Sequence, residues 1–186
     1  MKVVLIGAPG SGKGTQGERL ASASGARHIA TGDLLREQVQ EGTDLGHTVA
    51  GYLDSGALVP DEVLLDLAVP LARSAARANG YILDGFPRSV AQATRFEEVA
   101  GTEAAVDAVL FFQVPRAELV QRLLRRAAEQ DRADDTEQVI VRRLAVFDEQ
   151  TSPLIDYYRA AGLLRVIDGA SSVPDVAAAV TDALSA

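Results

Sequence analysis

Short apolar runs alternate with longer segments of helical character along the whole chain. The apolar runs cover 2–6, 28–30, 81–83, 106–114 and 163–167. The run at 106–114 is apolar at nearly every position, which is typical of a strand buried on both faces. Because strands and helices alternate, the pattern predicts a three-layer α/β/α domain, in which a parallel sheet of about five strands carries helices on both faces.

The helical segments begin and end at recognisable residues. Ser, Thr and Asp are favoured at helix N-caps, acids in first turns, and glycine after the last turn. No linker or internal repeat divides the chain, so we expect one domain. The predicted helices cover 13–24, 31–41 with Thr31 as the N-cap, 44–55, a segment that opens at Pro60, and 173–184.

Glycine and polar residues directly follow most of the predicted strands. A glycine-rich loop at 7–15 follows the first strand, Thr31 the second, Asp84 and Gly85 the third, and the pair at 168–169 the last. The carboxyl ends of parallel strands lie at one edge of a sheet, where ligands bind in such folds. We therefore expect these residues to converge on one ligand site.

The loop at 7–15 reads GAPGSGKGT and suits the phosphates of a nucleotide. Its glycines let backbone N–H groups turn toward a ligand, and the following helix adds its positive end. Lys13 would supply a full charge to β- and γ-phosphates. The alternative is a tight turn with a solvated lysine. Ser or Thr usually follows the lysine, but here Gly14 does and the hydroxyl is Thr15, so a Mg²⁺ contact from this loop stays open.

Composition excludes several classes of protein. The chain has 186 residues, of which 47% are hydrophobic and 24% are charged, as expected of a globular domain. Its net charge of −8 argues against a nucleic-acid partner. No apolar stretch approaches the roughly 20 residues of a membrane span, so we expect no membrane partner and a cytosolic location. The sequence has no cysteine, so we expect no disulfide and no structural zinc.

Charged residues near the strand ends suit phosphate chemistry. Asp84 ends an apolar strand, where a carboxylate is costly unless it serves a cation, so we interpret it as an acid that holds Mg²⁺ through water. The alternative is a cap on the turn before Gly85. Arg36 and Arg88 could each hold a phosphate bidentately, although either alone would more often be a surface arginine.

Six arginines fall within residues 122–143, and this concentration favours a compact polyanion as ligand. Arg122 and Arg126 lie four residues apart on a predicted helix and share a face, whereas Arg125 faces elsewhere and is expected to be solvated. The six arginines of this stretch are Arg122, Arg125, Arg126, Arg132, Arg142 and Arg143.

Six motifs occur in an order that resembles the adenylate kinases and related nucleoside monophosphate kinases. The resemblance covers almost the whole chain and implies a single P-loop kinase domain over 1–186 that transfers a phosphoryl group from MgATP to a monophosphate. The motifs are GAPGSGKGT at 7–15, TGDLLR at 31–36, G-x-L-V-P at 56–60, LDGFPR at 83–88 with Gln92, R-x-D-D at 132–135, and Pro153-Leu154 with Tyr157-Tyr158.

The resemblance also implies roles for individual residues. Lys13, Asp84, Arg88, Arg126, Arg132 and Arg143 would act in catalysis, with Mg²⁺ held by Asp84 through water. ATP would contact Gly10, Ser11, Gly12, Lys13, Gly14, Thr15, Arg122, Arg126 and Ser171. AMP would contact Thr31, Arg36, Ala57, Leu58, Val59, Gly85, Phe86, Pro87, Arg88, Gln92, Arg132 and Arg143.

Two segments resemble the mobile parts of this family. The segment 31–59 corresponds to the monophosphate-binding subdomain, and about 126–136 corresponds to a short lid without cysteines. Residues 127–131 look like an insertion, so the alignment of Arg126 is weaker than that of Arg132. Such segments close over the phosphates and keep water from the transferring group.

The leading functional hypothesis is the reaction MgATP + AMP ⇌ 2 ADP, catalysed by a monomer with ATP, AMP and ADP as ligands. It needs no general base, because a monophosphate has a second pKa of about 6 and is largely ionised. The alternatives are a UMP/CMP-type kinase, a hydroxyl kinase that uses Asp33 as base, and a nucleotide switch without turnover.

Two residues favour AMP as the acceptor. Thr31 could hydrogen-bond a base edge, and a glutamine amide can pair bidentately with adenine. If a helix begins at Arg88, then Gln92 lies on the same face, so we expect Gln92 to contact the base while Arg88 holds the phosphate.

Overall fold

A computed structural model describes residues 1–130 and 136–185 of the chain, and for 126–130 it describes the backbone alone. Its centre is a five-stranded parallel sheet in the order β2-β3-β1-β4-β5. The predicted three-layer α/β fold is therefore confirmed. The strands are β1 Lys2–Ile6, β2 Arg27–Ala30, β3 Tyr81–Asp84, β4 Ala108–Gln113 and β5 Leu164–Asp168.

Helices cover both faces of the sheet. In chain order they are α1 Lys13–Ser24, α2 Thr31–Gln40, α3 Asp44–Ser55, α4 Asp61–Ala76, α5 Val90–Ala100, α6 Arg116–Gln130, α7 Glu137–Val146, α8 Pro153–Ala160 and α9 Val173–Ser185. A 3-10 turn, Thr102–Ala104, precedes β4, and a π-helical turn, Phe147–Thr151, joins α7 to α8.

The central strands bury both of their faces. Along β1, Val4 and Ile6 enter one hydrophobic cluster with residues of α4, α5 and α8, whereas Val3 and Leu5 enter another with residues of α1 and α9. Successive side chains of a strand point to opposite faces, so one apolar run serves two cores. This two-sided burial explains why the buried strands are nearly continuous apolar runs.

The register of the sheet brings the strand ends together. Asp84 at the end of β3 is paired with Leu5 of β1 on one side and with Ala30 of β2 on the other. The glycine-rich loop, Gly85 and Thr31 therefore all leave the sheet at the same edge, as predicted. On the other side, Gly169 stays next to β4, because its N–H donates to the carbonyl of Gln113 at 2.9 Å.

Several predicted boundaries agree with the structure. The helices Lys13–Ser24 and Asp44–Ser55 coincide with the prediction, and each is followed by a glycine with positive φ, 73° at Gly25 and 71° at Gly56. The fourth strand is shorter than predicted, Ala108–Gln113, and the fifth ends one residue later, at Asp168.

The prediction of Thr31 as an N-cap is wrong. Ala30 is the N-cap of α2, and Thr31 is its first helical residue. The Thr31 hydroxyl donates to the backbone carbonyl of Asp84 at 3.2 Å instead of capping its own helix. This hydrogen bond ties the start of α2 to the end of β3, so the side chain serves the strand edge.

Two buried tyrosines in the larger core differ in how their hydroxyls are satisfied. Tyr81 and Tyr158 are both fully buried. The Tyr81 hydroxyl donates to the carbonyl of Ala104 at 2.6 Å, whereas the described residues offer the Tyr158 hydroxyl no hydrogen-bond partner. A satisfied buried hydroxyl contributes about 1 kcal/mol, and an unsatisfied one contributes nothing or destabilises.

We therefore expect opposite results from two matched substitutions. Tyr81→Phe should lower the free energy of unfolding by about 1 kcal/mol, whereas Tyr158→Phe should leave it unchanged or raise it. Urea unfolding followed by circular dichroism, with m-values compared, measures both. Equal losses in the two variants would contradict the assignment of these hydroxyls.

Candidate active site

A cavity of about 720 Å³ lies along the carboxyl edge of the sheet. This volume is within the range of small-molecule sites. Its walls combine residues predicted for the phosphate donor with residues predicted for the acceptor, so both half-sites open on one space. The predicted residues that line it are Gly10, Ser11, Gly12, Lys13, Gly14, Thr15, Arg36, Ala57, Leu58, Asp84, Gly85, Pro87, Arg88, Arg122, Arg143 and Ser171.

A smaller pocket of about 30 Å³ adjoins this cavity and shares Ala57, Gly85 and Arg88 with it. Thr31 and Val59 also line the pocket, together with leucine side chains. The recess is therefore apolar, with one hydroxyl and one guanidinium at its edge. A recess of this volume has room for only one or two water molecules, so a nucleobase would enter it only if the recess widened.

The glycine-rich loop adopts the backbone that its glycines permit. Gly10 and Gly12 have φ values of 83° and 88°, which L side chains rarely adopt. Gly12 is the N-cap of α1, and no side chain of the described residues caps this helix end. The Lys13 ammonium lies over the loop and donates to the carbonyls of Gly7 at 2.7 Å and Ala8 at 3.1 Å. A positive helix end and a lysine thus face the cavity together.

Asp84 lies beside this loop with only 14% of its side chain exposed. Asp84 Oδ2 lies close to Gly14 of the loop, because it is 3.6 Å from the position that a Cβ on Gly14 would occupy. His28 Nε2 also lies 3.6 Å from that oxygen. Burial alone would raise the pKa of Asp84, but His28 and the charges of Lys13 and Arg88 outweigh it and hold the pKa below its ordinary value. Asp84 is therefore an ionised carboxylate, as a water-mediated Mg²⁺ site requires.

Three guanidinium groups converge on the acceptor side. Arg88 Nε donates to the carbonyl of Gly85 at 2.7 Å, and Arg143 Nη2 donates to that of Leu53 at 3.3 Å. Burial lowers the pKa of Arg88; Asp84 opposes this, while the charges of Arg143 and Arg36 lower it further. Like charges on the wall of one cavity favour an anion between them.

The acceptor side also contains an ion pair within α2. Arg36 is paired with Asp33, three residues earlier on the helix. Asp33 lines the same cavity. Its carboxylate is therefore engaged with a cation of the site, which differs from the general-base role considered for a hydroxyl kinase.

Gln92 occupies a different position from the predicted one. Helix α5 begins at Val90, so Arg88 precedes the helix and does not share a face with Gln92. Gln92 is fully buried and lines neither pocket. Its Oε1 accepts from the Arg88 N–H and its Nε2 donates to Asp61, both at 2.7 Å. The amide thus supports the backbone of Arg88 from behind.

The side chain of Phe86 also lies away from the cavity. It is fully buried in the larger core, with its ring 5.7 Å from that of Phe96 in an edge-to-face arrangement. Of the remaining predicted residues, Arg132 and the side chain of Arg126 lie outside the described part of the chain.

The structure also adds residues that the sequence analysis missed. Arg125 is exposed, as expected, but it also lines the cavity together with Arg122. Gln16, Phe147 and Thr151 line it as well. The concentration of arginines in this stretch gave a signal for Arg125. Nothing in the sequence distinguishes Gln16, Phe147 and Thr151 from ordinary helix residues.

Within residues 1–130 and 136–185, no group of three or more acidic or histidine side chains could hold a metal ion. Among the helices of those ranges, none combines the length and the apolar character that crossing a membrane requires.

A strand, a glycine-rich loop with Lys13 and a helix, set in a five-stranded parallel sheet, define a P-loop nucleotide-binding domain. The family model described as "Adenylate kinase" matches residues 5–163. The chain is 44% identical to the adenylate kinase of Maricaulis maris and 42% identical to that of Phocaeicola vulgatus, each over 99% of this chain and 98% of the relative. It is 42% identical to the adenylate kinase of a Caulobacter species over 100% of this chain and 98% of the relative. The chain belongs to the adenylate kinase family.

This family membership confirms the predicted class of enzyme. The chain is a nucleoside monophosphate kinase, a phosphotransferase, and the adenylate kinase hypothesis is favoured over the UMP/CMP-type kinase, the hydroxyl kinase and the nucleotide switch.

The lowered pKa of Asp84 predicts how stability depends on pH. A carboxylate with a folded-state pKa below its unfolded value, about 3.9, stabilises the fold above that value. That contribution is lost as pH falls through the folded-state pKa. The difference in unfolding free energy between the wild type and Asp84→Asn should therefore shift in favour of the variant between pH 7 and pH values below about 4. Urea unfolding in EDTA-containing buffers measures it, and a shift in favour of the wild type on acidification would contradict the cause assigned here.

Proposed function

We propose that this chain transfers the γ-phosphoryl group of MgATP to AMP and thereby forms two molecules of ADP. The observation that carries the proposal is the convergence of Lys13, Arg36, Arg88 and Arg143 on one cavity. The phosphates of one nucleotide would bind at Lys13, and the phosphate of a second nucleotide would bind at the three arginines. Two phosphate sites in one space are what a reaction between two nucleotides requires.

The donor half-site is proposed to be the glycine-rich loop and the wall beside it. Backbone N–H groups of the loop and Lys13 would hold the β- and γ-phosphates, and Arg122 and Arg126 would contact the ATP side. Ser171, in the turn after β5, would lie at the adenine. The proposed ATP-binding residues are Gly10, Ser11, Gly12, Lys13, Gly14, Thr15, Arg122, Arg126 and Ser171.

The acceptor half-site is proposed to combine the small pocket with the arginines. The base would enter the recess at Thr31, and the guanidinium of Arg88 would hold the phosphate bidentately. Gln92 would fix the backbone of Arg88 and reach the base edge only after rearrangement of its amide. The proposed AMP-binding residues are Thr31, Arg36, Ala57, Leu58, Val59, Gly85, Phe86, Pro87, Arg88, Gln92, Arg132 and Arg143.

Positioning and charge would carry the catalysis. Lys13, Arg88, Arg126, Arg132 and Arg143 are proposed to hold the two phosphates in line and to neutralise the charge of the transferring group. The acceptor phosphate needs no base, because it is already largely ionised near neutral pH.

Asp84 is the residue proposed to hold Mg²⁺, through bound water. It is ionised, almost enclosed and beside the glycine-rich loop, which fits a hard, hydrated cation. When bound with ATP, Mg²⁺ would neutralise phosphate charge. The monophosphate-binding subdomain, residues 31–59, and the short lid, about residues 126–136, would close over the ligands.

The proposal includes a monomeric, cytosolic enzyme whose partners are ATP, AMP and ADP. One chain supplies residues for both half-sites of the cavity, so the proposed reaction needs no second subunit. A net charge of −8 supports the absence of a nucleic-acid partner. The proposed reaction is tested by a coupled assay of ADP formation over a panel of monophosphates.

Removal of the loop lysine should abolish most of the activity. We expect Lys13→Ala to fold and to lose activity by about 10²–10³-fold or more, the usual effect of removing one preorganised donor. The coupled assay, with circular dichroism as the folding control, measures this. A folded variant that keeps more than half of the wild-type turnover would show that the loop does not hold the phosphates.

Acceptor choice should follow from the polar groups at the small pocket. We expect kcat/KM for AMP to exceed that for UMP and CMP by well over about tenfold, because a site built to hydrogen-bond its ligand rejects one that leaves those groups unpaired. Gln92→Ala should narrow this margin, because it removes the amide that we propose to reach the base edge after rearrangement.

Arg95→Ala is the matched control for Gln92→Ala, because Arg95 is exposed on the same helix and pairs with Glu98 of that helix. The control should keep the wild-type margin. Comparable rates with UMP or CMP in the wild type would overturn the choice of AMP and leave the phosphotransferase class intact.

A further inference from the structure

The junction between α7 and α8 is a π-helical turn, Phe147–Thr151. The N–H of Ser152 donates to the carbonyl of Phe147 at 2.8 Å, five residues earlier, instead of to the carbonyl four residues earlier. Such turns are rare and are found frequently at functional sites. The extra residue per turn changes the direction in which the side chain of Thr151 leaves the helix.

Thr151 differs from the other helical threonines in its hydrogen bonding. Thr48, Thr94 and Thr181 each donate to the carbonyl four residues earlier, at 2.9 to 3.1 Å. For Thr151 that carbonyl belongs to Phe147 and accepts from Ser152 instead. No residue in the described ranges forms a hydrogen bond with the Thr151 hydroxyl. The π-turn thus leaves this hydroxyl without the partner that an α-helix would provide.

The hydroxyl is nevertheless placed at the cavity. Thr151 is only 7% exposed and lines the large cavity. In the described part of the chain, the fully enclosed side-chain atoms without a partner are Gln16 Oε1, His28 Nε2 and Tyr158 OH. Thr151 Oγ1 is not among them, so this oxygen is not fully enclosed. Because the described residues give it no partner, its hydrogen bond is left to water or to a ligand atom in the cavity that Thr151 lines.

The position of the π-turn indicates which part of a ligand is near. Phe147 packs against the small hydrophobic cluster that joins Ala8 of the glycine-rich loop to Ile140 and Leu144 of α7. Phe147 and Thr151 line the large cavity together with residues of that loop. The same cavity wall includes Arg143, on the helix that leads into the turn. The turn therefore lies where the strand ends meet the proposed phosphate sites.

We propose that Thr151 is a further substrate-contacting residue, whose hydroxyl donates a hydrogen bond to a phosphate oxygen of a bound nucleotide. The inference rests on the proposed phosphoryl transfer, and it adds a residue to which neither the sequence nor the proposed function gave a role. A hydroxyl is suited to this contact because it can donate to an anionic oxygen without adding charge to a wall that already holds several arginines.

Two substitutions separate this contact from a packing role. Thr151→Val keeps the volume and removes the hydroxyl, whereas Thr151→Ser keeps the hydroxyl. We expect Thr151→Val to lower kcat/KM by about tenfold or more, as for a hydrogen bond to a charged group, while the melting temperature stays equal or rises. Thr151→Ser should retain activity within about twofold, and Ser152→Ala, which removes a hydroxyl bonded within the turn, should behave as the wild type.

The measurements are steady-state kinetics with MgATP and AMP varied in turn, and calorimetric binding of AMP and of ATP to the full chain. If Thr151→Val has a higher KM or dissociation constant for AMP, the hydroxyl contacts the acceptor phosphate. If these constants rise for ATP instead, the hydroxyl contacts the donor phosphates. Either result supports the proposal. Wild-type kinetics and binding in Thr151→Val would overturn it, as would equal losses of activity and melting temperature in both variants. A wild type that binds nucleotides but forms no ADP would instead contradict the proposed function, while binding still tests Thr151.

Discussion

The site depends on the interaction between the Asp84 carboxylate and the side chains that surround it at the edge of the sheet. The carboxylate is almost buried, which is costly, and it is stabilised by His28, Lys13 and Arg88. Those residues come from β2, the glycine-rich loop and the turn after β3, so the pairing of three neighbouring strands is what brings them together. Because Asp84 pairs in register with both Leu5 and Ala30, a shift of the register would separate this charge from its partners.

Positive charge is concentrated on the acceptor side of the cavity. Arg36 and Arg143 act on Arg88 as like charges and lower its pKa, whereas Asp84 opposes them. Among their contacts, Arg36 pairs with Asp33, and Arg143 donates to the carbonyl of Leu53. Both contacts are at the cavity wall, where a phosphate could replace them. Binding of an anion among these arginines should therefore stabilise the fold.

Features that local residues determine were predictable from the sequence, whereas features that depend on contacts between distant segments were not. The ends of α1 and α3 were predictable because Gly25 and Gly56 stop those helices locally. The convergence on one edge followed from the parallel sheet alone. The positions of Thr31 and Gln92 were not predictable, since each depends on a hydrogen bond to another segment, with Asp84 and with Asp61. The accessible hydroxyl of Thr151 depends on a π-turn that has no sequence signature.

The most direct test of the two-phosphate site is the Arg88→Lys variant, because an ammonium keeps the charge but loses the planar fork that grips a phosphate. The account predicts that Arg88→Lys is nearly as damaging as Arg88→Ala, with the loss in KM for AMP and in kcat and with KM for MgATP close to that of the wild type. Arg142→Lys, at an exposed position on α7, is the matched control and should behave as the wild type. Unchanged AMP kinetics in Arg88→Lys would place Arg88 outside the acceptor site and contradict the account.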